Sequence, residues 1–180
     1  MKYTDLVLKH PIFTEFVEEI HMAEAFRIYC GHEIDHAMEV ARLSWIYYLE
    51  ESLKEGELQG WSSDLEETKD LFYVAALLHD IGRVAQYETG VHHAIAGIKP
   101  AKQILADIQA PLEWVDQILE VIAEHSDKTA QPSDKATGYP VKNLQYYIAK
   151  ADHDCRLCFS CLAADSCKWT QEQRNQTIHS

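Results

Sequence analysis

The chain has 180 residues, of which 47% are hydrophobic and 25% charged, and this composition suits one domain with one core. A formal net charge of -13 disfavours broad binding to a nucleic acid polymer, whose phosphates carry the same sign of charge. No apolar stretch reaches the roughly 18 residues of a membrane span, and the N-terminus lacks a signal-peptide pattern. We therefore expect a soluble, cytoplasmic protein with no membrane partner.

Apolar residues recur at helical spacing along nearly the whole chain, and few segments alternate with period two. This pattern predicts an all-α, single-domain bundle with about six or more helices. Polar stretches at 56–63 and 127–140 predict loops, and Ser63 or Asp64 is placed to cap the third helix. The predicted helices cover, in chain order, residues 11–29, 33–53, 63–79, a stretch from 92 that breaks near Gly97 and Pro100, 111–126, and a stretch from 141.

A His-Asp pair, His79-Asp80, ends the third predicted helix in the run LLHDIG. Taken alone, such a pair is also typical of a helix end with a surface histidine and a capping aspartate. Two further polar residues fall on the apolar faces of other predicted helices, His36 on the second and Asp152 on the sixth. Imidazole and carboxylate together are good ligands for transition metals, and a bound cation explains why an aspartate would be buried.

The order His, His-Asp, Asp on successive helices resembles the HD superfamily. Residues 79–82 read HDIG, which is a form of the signature of that superfamily. Residues 32–42 (HEIDHAMEVAR) are similar to its first motif, and residues 149–152 (AKAD) to its last. The resemblance covers roughly residues 30–154, most of the chain.

This resemblance implies a helical HD domain over residues 1–154, with residues 155–180 as a Cys-rich tail packed on the same domain. It implies that His36, His79 and Asp152, together with Asp80, are metal ligands. The implied cofactor is one or two divalent ions of Mn, Fe, Zn, Ni, Co or Mg. The implied activity is hydrolysis of a phosphate ester by a metal-activated water, with a small phosphorylated metabolite or a nucleotide as substrate.

Three residues are candidates for a direct catalytic role. Asp80 is placed to orient the water or to bridge two ions. Arg83 and Lys150 lie near the motifs and are candidates to neutralise charge that develops on the phosphate. Each of these two cations is equally compatible with a surface position.

Two more histidines, His93 and His125, raise the question of a second metal ion. The run HAIAG at 93–97 resembles the helix that supplies an extra histidine in dinuclear members, and His125 ends the next helix on its apolar face. Both residues are also compatible with substrate binding or with hydrogen-bonded core positions. His32, one turn before His36, is a candidate to orient a ligand.

The five cysteines suggest a separate metal site, because four of them lie close together near the C-terminus of a chain without a secretion signal. Cys155, Cys158 and Cys161 have the spacing C-x2-C-x2-C, and Cys167 follows. Thiolates at this spacing bind zinc or an iron–sulfur cluster, although reduced thiols on one helical face share it. The resemblance favours Cys158, Cys161 and Cys167 as ligands, with either Cys155 or Cys30 as the fourth.

Three functions are compatible with these residues. The first is a metal-dependent phosphohydrolase, which the complete set of four primary ligands favours. The alternatives are a non-catalytic HD sensor that binds a nucleotide or metal, and an oxygenase that uses two irons on the same scaffold. The sequence leaves open the substrate, the native metal and whether the chain forms a homodimer.

Overall fold

The computed structural model describes residues 1–55, 65–125 and 143–178. Over these residues the chain is helical, with no strand, which confirms the predicted all-α class. The two predicted loops, the predicted cap at Ser63 or Asp64 and the start of the sixth predicted helix at Val141 lie outside the described residues.

The described residues form nine α-helices and two short 3-10 turns. The helices are α1 (Lys2–Leu8), α2 (Pro11–Glu24), α3 (Ile34–Glu55), α4 (Leu65–Leu78), α5 (Arg83–Thr89), α6 (His93–Ala96), α7 (Ile98–Asp107), α8 (Leu112–Glu124) and α9 (Leu144–Asp154). The 3-10 turns are Cys158–Ser160 and Ala164–Ser166. None of the helices in the described ranges combines the length and apolar character that a membrane span requires.

Helix α4 lies at the centre of the bundle, where it packs against α1, α3, α8 and α9. Residues 70–78 are all buried, and eight of these nine are apolar or aromatic. A helix that is apolar on all sides is stable only when other elements surround it. The His-Asp pair directly follows this helix, so the same burial carries both side chains into the interior.

Helix α1 was not predicted, and a long-range contact with α4 explains why it forms. Asp70 is buried on α4, and its carboxylate accepts hydrogen bonds from the backbone N–H groups of Tyr3 and Thr4 at 2.7 and 2.8 Å. It also accepts one from the Thr4 hydroxyl. A carboxylate in this position satisfies free N–H groups of the first turn, as an N-cap residue would.

The predicted first helix is too long, because α2 ends at Glu24 and not near Tyr29. The chain then folds back around the buried carboxylate of Glu24. This carboxylate accepts hydrogen bonds from the backbone N–H of His32 at 2.7 Å and from the hydroxyl of Tyr87 at 2.5 Å. The reversal brings residues 27–32 over the end of the bundle where the His-Asp pair lies.

The predicted break near Gly97 is confirmed, since Gly97 separates α6 from α7. The short helix α5, in contrast, was missed, because Gly82 was expected only to end the preceding helix. At Gly82 the backbone passes very close to α6. A Cβ atom on Gly82 would lie 2.1 Å from the carbonyl oxygen of His93 and 2.5 Å from the nitrogen of Gly97. The glycine of the HDIG run therefore allows two backbones to meet beside the candidate site.

We expect Gly82→Ala to lower the free energy of unfolding by about 3 kcal/mol, since the new methyl group meets backbone atoms that cannot rotate away. Urea unfolding measures this loss. Gly90→Ala is the matched control: Gly90 has a φ of 75°, and nothing lies within 4 Å of an added Cβ. Its cost should be only that of the left-handed backbone, about 1 kcal/mol. Equal losses in the two variants would contradict the close approach at Gly82.

The segment after α9 folds against the C-terminal end of that helix. The side-chain amide of Asn175, which is buried, donates hydrogen bonds to the carbonyls of His153 at 2.9 Å and of Arg156 at 2.9 Å. The indole of Trp169 stacks on the ring of His153 with centroids 5.1 Å apart. These contacts hold the start of the tail near Asp152.

Candidate metal centre

Six side chains from five parts of the fold meet at one end of α4. His79 and Asp80 lie in the turn after α4, and His36 lies on the first turns of α3. The remaining three are His93 at the start of α6, His125 directly after α8 and Asp152 on α9. The six are the metal ligands expected from the sequence, and all but the partly exposed Asp152 are buried.

The first group consists of His36, His79 and Asp152. Their potential ligand atoms all lie within 4.8 Å of one another. Nε2 of His36 lies 3.0 Å from Oδ1 of Asp152, and the rings of His36 and His79 have centroids 5.5 Å apart. One ion can therefore contact all three side chains with only small movements.

The second group consists of His79, Asp80 and His125, whose ligand atoms also lie within 4.8 Å of one another. Oδ1 of Asp80 is 3.4 Å from Nε2 of His125 and 3.6 Å from Nε2 of His93. Oδ2 of the same carboxylate is 3.2 Å from Nε2 of His79. Asp80 thus lies between His79, which both groups share, and the pair His93 and His125.

All four histidines present Nε2 to the centre, while Nδ1 contacts an outer partner. A backbone carbonyl can only accept, so the neutral forms of His79 and His125 carry their proton on Nδ1 and keep the lone pair of Nε2 for a metal. The outer contacts are His79 with Ala76 O at 2.6 Å, His125 with Ile122 O at 3.1 Å, His93 with Gln86 Oε1 at 2.8 Å, and His36 with Cys155 Sγ at 3.4 Å.

The protonation of these groups also suits a cation. Burial lowers the pKa of His36 to about 4, and burial together with Arg83 lowers the pKa of His93 to about 3, so both imidazoles are neutral at neutral pH. Burial opposes the ionisation of Asp80. The charges of His79 and Arg83 outweigh this effect and hold the pKa of Asp80 well below its usual range. Burial also opposes the ionisation of His79, but Asp80 and Asp152 outweigh this effect and raise the pKa of His79. A divalent metal would take the place of the proton on Nε2 of His79 and complete a typical imidazole and carboxylate ligand set.

Two buried atoms at the centre lack a hydrogen-bond partner within the described part of the chain: Nε2 of His79 and Oδ2 of Asp80. They face each other at 3.2 Å, but the geometry is not that of a hydrogen bond. Leaving buried polar atoms unsatisfied costs about 1–3 kcal/mol each, and a metal ion between them would remove that cost. The residues present therefore fit a divalent metal.

Comparison with known proteins agrees with this geometry. The family model described as HD domain matches residues 34–157, which is more than half of the chain. This chain belongs to the HD domain family. HD domains are generally metal-dependent phosphohydrolases, and they bind divalent metals.

A relative of this HD domain occurs in Clostridium beijerinckii (strain ATCC 51743 / NCIMB 8052), where it is described as an uncharacterized protein. It is 31% identical over 169 residues, which cover 92% of this chain and 93% of the relative. No solved structure matches the chain. The comparisons therefore give the family but no substrate.

The two basic residues predicted to neutralise charge on the phosphate occupy different places in the HD domain. Arg83 donates from Nε to Oδ1 of Asp80 at 2.8 Å and so lies at the centre. The ammonium of Lys150 instead contacts the carboxylate of Asp154 and lies 3.6 Å from the ring centroid of Tyr47. Of the two, Arg83 is the one in contact with a candidate ligand.

Arg156 contacts the centre and was not predicted from the sequence. Its NH2 group lies 3.0 Å from Nε2 of His36 and 3.0 Å from Oδ1 of Asp152, and NH1 donates to the carbonyl of Gly31 at 2.8 Å. The side chain is only 10% exposed. The one signal in the sequence was its position four residues after Asp152, the spacing of an ion pair on one helix.

His32, expected to orient a ligand, is held by α2. Its Nδ1 contacts Oε1 of Glu24 at 2.6 Å and the Tyr87 hydroxyl at 3.2 Å, while its ring lies edge-on to His36 with centroids 6.0 Å apart. Burial opposes the ionisation of Glu24, but hydrogen bonds from His32 and Tyr87 outweigh it and lower the pKa of Glu24 to about 2. His32 therefore packs against a candidate ligand and is itself fixed by an anion.

A cavity of about 530 Å³ opens beside the centre. His36 and Arg156 line one part of it, and Arg27 lines another. Acidic side chains, including Glu33 and Glu39, also line it. This cavity lies within the size range of small-molecule sites.

The five cysteines do not all share one environment in this structure. Cys155 packs against His36, whereas Cys30 lies near Cys158 and Cys161. Burial raises the pKa of the Cys30 thiol, Arg156 opposes this shift, and Cys158 and Cys161 add to it. Among the residues described, the groups of ligand atoms within 4.8 Å of one another consist of His and Asp only.

Proposed function

We propose that this HD domain hydrolyses a phosphate ester of a small metabolite or a nucleotide. The observation that carries the proposal is the convergence of four imidazole Nε2 atoms and two carboxylates at one end of α4. The match to the HD family supports the same class of reaction. A bound divalent metal would supply a water of lowered pKa and would polarise the phosphoryl oxygen.

The ligand set has room for two ions. His36, His79 and Asp152 would hold one, and His125 and His93 would hold the other. Asp80 would contribute to holding both, because its two oxygens face different histidines. Mixed imidazole and carboxylate ligands favour Mn, Fe, Zn, Co or Ni over Mg, which prefers oxygen.

The cavity supports a small substrate and argues against a nucleic acid polymer. Arg156 and Arg27 offer guanidinium groups that suit the oxygens of a phosphate. The acidic side chains that also line the cavity would repel the further phosphates of a polymer. Because a cavity reaches His36, catalysis is better supported than a closed sensor.

The di-iron oxygenase is the second candidate, and the six converging side chains favour it as well. An oxygenase needs two irons, while hydrolysis can use one or two ions of several metals. Fewer than two irons per chain would therefore exclude the oxygenase before any substrate is known.

Elemental analysis of protein purified without chelators is the first test, with His79→Ala beside it. His79 belongs to both groups, so its loss should remove at least one metal per chain and lower the hydrolysis of a generic phosphomonoester by on the order of 10³-fold. His21→Ala is the matched control, because the His21 side chain is 71% exposed on α2.

Wild-type protein that binds no metal from Mn, Fe, Zn, Co, Ni or Mg solutions would overturn the proposal. Two irons per chain together with no hydrolysis of any phosphate ester would favour the oxygenase. The expected result is at least one metal ion fewer per chain in His79→Ala than in the wild type and in His21→Ala.

A further inference from the structure

The tail begins with a cysteine pair in a tight turn. Cys158 begins the 3-10 turn Cys158–Ser160 and Cys161 directly follows it, and the N–H of Cys161 donates to the carbonyl of Cys158 at 3.2 Å. Two cysteines separated by two residues in such a turn can direct both sulfurs to one ion. The turn therefore supplies half of a four-thiolate site.

A third thiol comes from the other end of the chain. Cys30 lies in the segment between α2 and α3 and lines the same cavity as Cys161. It is close enough to Cys158 and Cys161 for their charges to act on its thiol. Arg156, two residues before Cys158, also donates to the carbonyl of Gly31, next to Cys30.

The fourth candidate thiol is that of Cys167, because the residues that precede Cys30 and Cys167 contact each other. The hydroxyl of Tyr29, directly before Cys30, donates to the carbonyl of Ser166 at 3.2 Å, and Cys167 directly follows Ser166. Cys30 and Cys167 are thus adjacent, in sequence, to two residues that touch. All four cysteines are partly exposed, and none of them forms a disulfide.

Cys155 lines the same cavity as Cys30 and Cys161, but its sulfur contacts the His/Asp centre. Its sulfur lies 3.4 Å from Nδ1 of His36 and 3.4 Å from the carbonyl of Asp152. In that position it fixes the orientation of a candidate ligand of the catalytic centre. The sequence left open whether Cys155 or Cys30 is the fourth ligand, and these contacts of Cys155 favour Cys30.

We propose that Cys30, Cys158, Cys161 and Cys167 form a tetrahedral zinc site, separate from the His/Asp centre. The sulfurs would have to draw closer together than they lie in this structure, since a Zn–S bond is about 2.3 Å. Zinc at this position ties the tail to the segment between α2 and α3. It thereby holds Arg156 and His32, which lie on these two segments, against the catalytic centre.

Zinc content tests this site without reference to activity. His79→Ala should retain one zinc per chain, because it changes only the His/Asp centre. In that background, Cys158→Ser and Cys30→Ser should each bring the zinc from about one per chain to near none. Cys155→Ser is the matched control and should keep the full content, since its sulfur lies at His36.

A spectroscopic test uses the unmutated cysteines and so does not depend on how Cys→Ser variants fold. Cobalt exchanged into the His79→Ala protein should give thiolate-to-metal charge-transfer bands and the intense visible bands of a tetrahedral site. Titration with a mercurial should release one zinc as four thiols react.

Three outcomes would overturn the proposal. Full zinc content in Cys30→Ser would show that Cys30 is not a ligand. Loss of zinc in Cys155→Ser would show that Cys155 is a ligand, contrary to the proposal. Iron and inorganic sulfide found in place of zinc would show that the cysteines bind an iron–sulfur cluster. Because every arm is run on His79→Ala, failure of the hydrolase proposal would leave these readouts unchanged.

Discussion

Asp80→Asn is expected to lower the hydrolysis of a phosphate ester by on the order of 10³-fold, which corresponds to about 4 kcal/mol of transition-state stabilisation. The substitution keeps the shape of the side chain and removes its charge. Oδ1 of Asp80 faces His125, His93 and Arg83, while Oδ2 faces His79. A neutral amide cannot balance two cations, so we expect the second metal ion to be lost while the helical content stays unchanged.

The measurement pairs metal stoichiometry with kcat, because a loss of charge should change both. Asp107→Asn is the matched control: its carboxylate is exposed and contacts His10 and Gln103 away from the centre. Asp80→Asn with full metal content and more than a tenth of the wild-type kcat would show that Asp80 is not a bridging ligand. A circular dichroism spectrum equal to that of wild type is required for either conclusion.

Helical periodicity predicted that His36, His125 and Asp152 lie on apolar helical faces, and the resemblance to the HD superfamily implied the remaining ligands. His36 and Asp152 stand where a core residue is expected, and His79-Asp80 follows a run that is apolar on all sides. A polar residue at a core position signals a site, and helical periodicity makes such a position visible without any structure. The long helices were predicted from the same periodicity of apolar residues.

The sequence could not predict the side chains that the fold brings to the centre from long range. Glu24 reaches His32 only because α2 ends early, and Asp70 caps α1 across the bundle. Helix α5 was missed because Gly82 resembles a helix end, whereas its small size serves the contact with α6. In each case the cause is a tertiary contact, which local propensity does not contain.

Arg156 illustrates how such a contact changes the chemistry of the centre. Its NH2 group lies 3.0 Å from Nε2 of His36, where it can donate to the lone pair that a metal would use. The same group lies 3.0 Å from Oδ1 of Asp152. One lone pair cannot accept a hydrogen bond from Arg156 and coordinate a metal at the same time. Arg156 and the first metal ion therefore compete for His36.

This competition gives Arg156→Met two expected effects: lower stability without metal, and tighter binding of the metal. Without metal, the variant should lose about 3 kcal/mol of stability, because Asp152 is left without its cation. With metal, the ion balances Asp152 and the loss should be smaller by at least about 1.4 kcal/mol, which is a tenfold lower Kd for the metal. Hydrolysis by the metal-loaded variant should nevertheless fall, since a guanidinium facing the cavity is lost.

Thermal unfolding of Arg156→Met with and without Mn²⁺ measures the first pair of effects, and a metal titration gives Kd directly. Arg42→Met is the matched control, since Arg42 is exposed on α3. A loss of stability that is the same in the presence and absence of metal would contradict the competition. The competition requires Arg156 to leave His36 when metal binds. The guanidinium would then lie beside the cavity, where it can bind a phosphate oxygen instead of the imidazole of His36.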